Sequence, residues 1–397
     1  MARCHRPTAK HWLDTKLGNL LIRTDSQSNL QQLGSDKIKD IFFKKDPKFQ
    51  MKNLRILNIM LGKGVGGLEN AVVNAAAALT LAGCDVTSVI ANNSAIENSF
   101  LSQSNVMKLQ SFGSIDFTAP FRIRALLKNK KFDAIIAHGN RAVLLARHLR
   151  HLAPLIPICH TTTYNILKQL DSIDGAIVLT DHYRNVLVEA GFPNDRIRLV
   201  PNSIQIGSER PSLPDRQIPI IGALGRLVPN KGFDVLMAAC ASLKREQIPF
   251  QTIIHGVDET GGTKEFISLR NRLGLTERDV TFPGWTTNPA EFLRSVDIFC
   301  MPSRREVLSI ALLEALAAGC PIVCTRVPGL ESAFDDGIEG LFVDIESAEQ
   351  LSDSLKYLLL NKIVRKKMGE AARTRSKSFD IEPVSKLFRD SIISLIS

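Results

Sequence analysis

From Asn53 onward the chain alternates short apolar, β-branched runs with longer segments whose apolar positions recur at helical spacing. That alternation predicts parallel strands buried on both faces by helices. In the first half the runs are Arg55–Leu61, Val86–Ala91, Ala134–Ala137, Ile156–Cys159, Gly175–Leu179 and Ile197–Val200, closed by Pro201-Asn202-Ser203. A polar, proline-bearing stretch, Ser208 to Pro219, predicts a linker. The second half repeats the grammar with Ile220–Leu224, Thr252–His255, Val280–Phe282, Ile298–Met301, Ile322–Thr325 and Leu341–Val343. Behind Pro383, the positions Val384, Leu387, Phe388, Ser391 and Leu395 predict a final helix that packs near a domain junction. The expected class is α/β, with two Rossmann-like, doubly wound domains facing a cleft. Their expected bounds are 51–207 and 220–380, with linker 208–219 and a C-terminal helix in 381–397. Ligands of such sheets bind beyond the carboxyl ends of the strands, so the loops after strands are where chemistry is sought.

The first such loop reads Leu61-Gly62-Lys63-Gly64-Val65-Gly66-Gly67-Leu68-Glu69 and leads into an Ala-rich helix. Gly62, Gly64 and Gly67 satisfy G-x-G-x-x-G, a pattern that lets backbone approach a pyrophosphate at a helix N-terminus. A NAD site also needs an acidic side chain at the end of the second strand. Here that strand ends Ile90-Ala91-Asn92-Asn93, and Asp85 precedes it. The loop therefore argues against NAD, and is either a cradle for another phosphate or a turn needing residues with positive φ.

In the second half, Gly225-Arg226-Leu227 follows a strand, and Lys231-Gly232 opens the next helix. Two cations beside a helix N-terminus form a phosphate clamp, unless they are simply a solvated pair. Further on, the strand ending at Met301 runs into Pro302-Ser303-Arg304-Arg305-Glu306, and an apolar helix starting near Ser309 carries Glu314. An ionised carboxylate among Ala, Leu and Ile is costly unless it is bonded or turned to solvent. Two ligand hydroxyls would bond it.

Composition narrows the classes. With 397 residues, 44% of them hydrophobic, the chain has room for two cored domains. No apolar run is long enough to span a bilayer, and the N-terminus lacks the apolar region of a secretory signal, so a cytoplasmic protein is expected. Seven cysteines without C-x-x-C, mostly in apolar runs, read as buried thiols. The net charge of +10 suggests anionic partners, but residues 1–50 carry ten Lys/Arg against five Asp, half of the excess. Those fifty residues read as an extension outside the fold, disordered or produced by an upstream start. Nucleic acid is accordingly not an expected partner. The segment Phe121 to Phe132, basic and apolar by turns, reads either as a solvated helix face or as a contact for an anionic membrane at the inner face of the cell membrane. Ser111 to Ala119, just before it, is a candidate acceptor loop.

Over residues 51–397 the chain resembles the retaining glycosyltransferases of the two-Rossmann-domain (GT-B) type, group 1 or family 4, most closely from Ile220 to Glu331. Glu306-x7-Glu314 resembles the family's E-x7-E motif. The resemblance implies that Glu306 contacts donor-sugar hydroxyls in a catalytic role and that Glu314 holds the nucleotide ribose. Arg226 and Lys231 would neutralise the diphosphate, with Gly66 and Gly67 reaching it from the first domain. It also implies a part in catalysis for His138, and sugar-side or acceptor-side positions for His160 and Ser309. The partners implied are a nucleotide-sugar and a glycan or lipid-linked acceptor, with no cofactor and no metal; no Asp-x-Asp pair is present. Val307 and Ser309 stand where the family often has glycines, so sugar specificity does not carry over. An epimerase of the same fold and a non-catalytic sugar-nucleotide binder remain the alternatives.

Overall fold

The computed structural model describes residues 53–62, 64, 66–100, 105–110, 116–160, 167–207, 216–258 and 261–397. The N-terminal extension, Lys63 and Val65 of the glycine loop, 111–115 of the acceptor-loop candidate, 161–166 and linker residues 208–215 lie outside the described residues.

The first sheet holds β1 (Arg55–Met60), β2 (Asp85–Ala91), β3 (Asn105–Leu109), β4 (Ala134–His138), β5 (Leu155–Cys159), β6 (Ala176–Val178) and β7 (Ile197–Leu199). The second holds β8 (Ile220–Leu224), β9 (Gln251–His255), β10 (Val280–Gly284), β11 (Ile298–Met301), β12 (Ile322–Thr325) and β13 (Gly340–Val343). Helices α1 (Gly67–Leu81), α2 (Ala119–Leu126), α3 (Asn140–Ala146) and α4 (Asp181–Glu189) accompany the first sheet. With the second run α5 (Phe233–Arg245), α6 (Gly262–Arg272), α7 (Pro289–Ser295), α8 (Ile310–Ala317), α9 (Ala348–Leu360) and α10 (Lys362–Ser376), and α11 (Ile381–Ile396) comes last.

Strand order is β3-β2-β1-β4-β5-β6-β7 in one sheet and β10-β9-β8-β11-β12-β13 in the other, with the described pairings parallel. In each, the order reverses once, between β1 and β4 and between β8 and β11. Those reversal points open crevices at the carboxyl ends of the strands. The glycine loop and His138 flank the first crevice; Arg226, Lys231 and the Glu306 loop flank the second.

Central strands are apolar because both faces are covered: Ile56, Ile135, Ile156, Ile221 and Ile298 are all 0% exposed. β3 has no counterpart among the runs read from sequence. It is an edge strand, Asn-Val-Met-Lys-Leu, largely unburied, and so lacks the apolar continuity of the others.

Helix α11 follows the second sheet in sequence but packs on α1 of the first. Ala71, Ala75 and Ala78 keep the buried face of α1 low, and Val384, Phe388 and Ile392 of α11 are buried. Each large apolar side chain buried in this way contributes about 1.5–3 kcal/mol. The crossing is held by backbone bonds, Ile204 N–H to Phe379 O at 2.9 Å and Ile381 N–H to Ile204 O at 3.0 Å. Among the described residues the six cysteines are buried thiols, and no helix is long and apolar enough to cross a membrane.

Candidate active site

The second crevice is built by two loops in backbone contact. After β8, a short turn over Pro229–Lys231 ends at Gly232, whose φ is 66°. A Cβ there would lie 1.9 Å from the Pro302 carbonyl oxygen, so glycine is required both by conformation and by the approach of the loop after β11. Arg304 ties the same loops together. Its guanidinium donates to both Asp234 oxygens, at 2.9 and 2.7 Å, to Glu346 at 2.8 Å, and to Pro229 O. The bonds to these carboxylates hold the guanidinium pKa above its usual value.

Between the loops, Lys231 Nζ donates to Glu306 Oε1, and Ser303 Oγ donates to the same oxygen at 3.1 Å. The two charged side chains are only 17% and 13% exposed, so their pairing is weakly screened. Arg226 is exposed at the mouth of β8. Ser309 is the extended residue before α8, and its side chain makes no cap, leaving the helix N–H groups to another acceptor. Glu314, on α8, is partly buried. Its carboxylate has no hydrogen bond or ion pair among the described residues, and burial pushes its pKa up to about 7.

Across the cleft, α1 also starts without a side-chain cap. Gly66 is extended (φ 176°), a conformation open to any residue, and a Cβ on Gly67 would meet nothing within 4 Å. A Cβ on Gly66 would lie 3.3 Å from Glu69 Oε2, so glycine there keeps backbone and the Glu69 side chain apart rather than supplying a positive φ. His138, at the end of β4, is 1% exposed, and both of its ring nitrogens are engaged: Nε2 with Asn58 Oδ1 at 2.7 Å, Nδ1 with His160 Nε2 at 2.8 Å. His160, one residue past β5, is partly exposed.

The first domain also touches the Glu306 loop directly. Tyr183 on α4 donates to Glu306 O at 3.4 Å, and Asn202 Nδ2 donates to Leu308 O at 2.7 Å. Burial, then the nearby Glu306 charge, pushes the Tyr183 phenol up to about 12.

Family models match the two halves in turn, glycosyltransferase family 4 over residues 65–208 and glycosyl transferases group 1 over residues 208–375. A D-inositol 3-phosphate glycosyltransferase of Arthrobacter sp. (strain FB24) is 32% identical over 302 residues, 65% of this chain and 69% of the relative. The chain belongs to the group 1 glycosyltransferases. The lipopolysaccharide core biosynthesis glycosyltransferase LpsE of Rhizobium meliloti is 24% identical over 80% of this chain and 92% of its own. Of the inositol-phosphate relatives from Corynebacterium jeikeium and Pseudarthrobacter chlorophenolicus, this chain spans only 58% and 50% of the length. Among solved structures, HepE of Anabaena in complex with UDP-glucose superposes with a TM-score of 0.74 at 18% identity, covering 86% of this chain and 100% of the other. The lipopolysaccharide outer core galactosyltransferase WaaB gives a TM-score of 0.69 at 17% identity, over 86% and 99%. At such identities the likeness shows the fold, GT-B, alone.

In this glycosyltransferase the structure pairs Lys231 with Glu306 and buries His138 behind His160, so that of the two histidines only His160 is accessible at the sheet edge. Sequence reasoning missed Tyr183, Arg304 and Asn58. Asn58 had a visible signal, a single amide inside the run Arg55-Ile56-Leu57-Asn58-Ile59-Met60; Tyr183 had none, since its role depends on a contact between domains.

Proposed function

We propose that this glycosyltransferase moves a sugar from a nucleotide-sugar to a glycan or lipid-linked acceptor, with retention of configuration, in cell-surface polysaccharide or lipopolysaccharide synthesis. The observation that carries the reading is the unpartnered Glu314 carboxylate on the same short helix whose uncapped N-terminus follows the Lys231–Glu306 pair. In it, the ribose hydroxyls donate to Glu314, and the diphosphate lies against Arg226, Lys231 and the α1 and α8 N-termini, reached through Gly66 and Gly67. Glu306 and Ser309 face the donor sugar, with His138 acting through His160. Transfer breaks the bond from the anomeric carbon to the diphosphate oxygen and forms one to the acceptor oxygen on the same face. The acceptor proton passes to the departing phosphate. Charge grows on the leaving group, and the fixed cations and helix N–H groups are already aimed at it, so this reading is metal-independent.

UDP is the favoured nucleotide because HepE is described with UDP-glucose. The lipopolysaccharide acceptor draws support from LpsE and WaaB. We further infer contact with an anionic bilayer at the inner face of the cell membrane, on the strength of Phe117 and Phe121, 84% and 70% exposed, beside Arg122, Arg124, Lys128, Lys130 and Lys131.

The test is a thermal-shift panel of UDP, GDP, ADP, CMP and NAD on the native chain, Glu314→Ala and Lys231→Ala. Selective stabilisation by one nucleoside diphosphate, weakened in both variants, is expected. Stabilisation by NAD, or by none, would sink the donor assignment, and conversion of a UDP-sugar without an acceptor would favour an epimerase.

A further inference from the structure

A line of polar side chains crosses an otherwise apolar face of the first sheet. The register sets Ser88 beside Asn58, and His138 beside both Met60 and Ile158. With a side-chain period of two, Ser88, Asn58, His138 and His160 therefore share one face and step toward its carboxyl edge. Ser88 is 0% exposed, and Asn58 and His138 are each 1% exposed. Polar groups so buried persist only when bonded, and these are bonded to one another.

The bond lengths give the line a direction. Asn58 Oδ1 lies 2.7 Å from His138 Nε2, a short contact suited to a ring N–H donating to a carbonyl oxygen, and Asn58 Nδ2 donates to Ser88 Oγ at a longer 3.2 Å. A proton on His138 Nε2 leaves a lone pair on Nδ1, which must then accept from His160 Nε2, 2.8 Å away. The His160 lone pair is left on Nδ1. Burial lowers both imidazoles, His138 far below its usual range and His160 to about 4, so both are neutral and each has a single tautomer to be set.

We propose that Asn58 is a positioning residue for sugar transfer: through His138 it fixes His160 as the Nε2–H tautomer and presents the Nδ1 lone pair to a sugar hydroxyl at the sheet edge. The inference rests on the sugar-nucleotide reading of the cleft. In Asn58→Leu the acceptor for a buried N–H disappears. An orphaned N–H is worse tolerated than an orphaned acceptor. His138 then carries its proton on Nδ1 and donates to His160, whose own proton moves to Nδ1. The acceptor at the sheet edge becomes a donor. Asn58→Asp keeps an acceptor facing His138 and keeps the native tautomer.

Long-range proton–nitrogen NMR of the full chain, labelled at histidine nitrogens and assigned with His160→Gln, reads these states directly. The expected result is Nε2–H at His160 in the native protein and in Asn58→Asp, and Nδ1–H in Asn58→Leu. Saturating UDP-glucose should move the native His160 Nδ1 signal in the direction of an accepted hydrogen bond, while UDP alone leaves it in place. A native His160 protonated on Nδ1, a tautomer unmoved by Asn58→Leu, or an Nδ1 signal indifferent to bound UDP-glucose overturns the proposal. If the tautomers are as stated but neither UDP nor UDP-glucose stabilises the protein, the donor reading fails and takes the part in sugar transfer with it, while the hydrogen-bond order from Asn58 to His160 stands.

Discussion

Glu314 shows how a single side chain can link folding, titration and ligand. Its carboxyl is raised to about 7 by burial alone, so its proton is retained more strongly in the folded chain than in the unfolded one. The stability this lends is fully present below the ordinary carboxylate pKa and is lost as pH rises through about 7. In the proposed donor site, ribose hydroxyls donating to the ionised form would pull the other way, because binding must first remove the proton. Affinity for UDP-glucose, whose diester diphosphate does not titrate here, should be flat above about pH 7 and weaken by up to about tenfold per unit below it. Glu314→Gln should abolish the slope, as isothermal titration at several pH values would show. A slope that survives in that variant would place the titrating group elsewhere. Lys231 presents a related choice: in this structure it neutralises Glu306, and a bound diphosphate would compete for it.

The loops after β8 and β11 act as one unit, and Arg304 is what joins them. Asp234 and Glu346 are 39% and 56% exposed, so solvent discounts each ion pair, yet five acceptor oxygens from three residues converge on one guanidinium. Arg304→Ala should cost about 1–3 kcal/mol in urea unfolding and should weaken UDP stabilisation, because the loop carrying Glu306 loses its anchor. Lysine at that position should recover little of either, since a point charge cannot span two carboxylates. Full recovery by lysine would show that charge, not the fork, is what matters. None of this was legible in Pro302-Ser303-Arg304-Arg305, where two arginines look alike and only the fold distinguishes the clamped one from its exposed neighbour. The helices and central strands were legible because burial on both faces writes an unbroken apolar run. The edge strand Asn105–Leu109 was not, for want of that burial. The motif Glu306-x7-Glu314 marks the candidate site in the sequence, while the contacts of its loop with Tyr183 and Asn202 come from chain positions more than a hundred residues away.

At the scale of the molecule, the candidate site lies at the carboxyl ends of two sheets, while Phe117 and Phe121 are exposed on the first domain. Phe117 precedes α2 and Phe121 lies on it, and Arg124 of the same helix donates to His148 O at 2.9 Å. Burial, then Arg147 and Arg124, lowers the His148 pKa. Vesicles rich in phosphatidylglycerol should sediment the full chain at low salt and less of it at moderate salt, and neutral vesicles should not. Replacing both phenylalanines with serine should reduce the bound fraction while leaving UDP stabilisation intact. No sedimentation at either salt would remove the membrane contact and leave the proposed nucleotide site untouched.

Helix α11 carries a consequence for how the enzyme is made. Domains tend to fold as units, the N-terminal one first as the chain emerges. Here the first sheet is translated early, but the helix that covers Ala71 and Ala75 of α1 is the last described element to be synthesised. The nascent first domain therefore waits, with an apolar face uncovered, through the synthesis of the whole second half. Completion of the cleft and closure of that face are thus one late event, and a ribosome that stalls within the second sheet releases a sticky intermediate rather than a half-working enzyme.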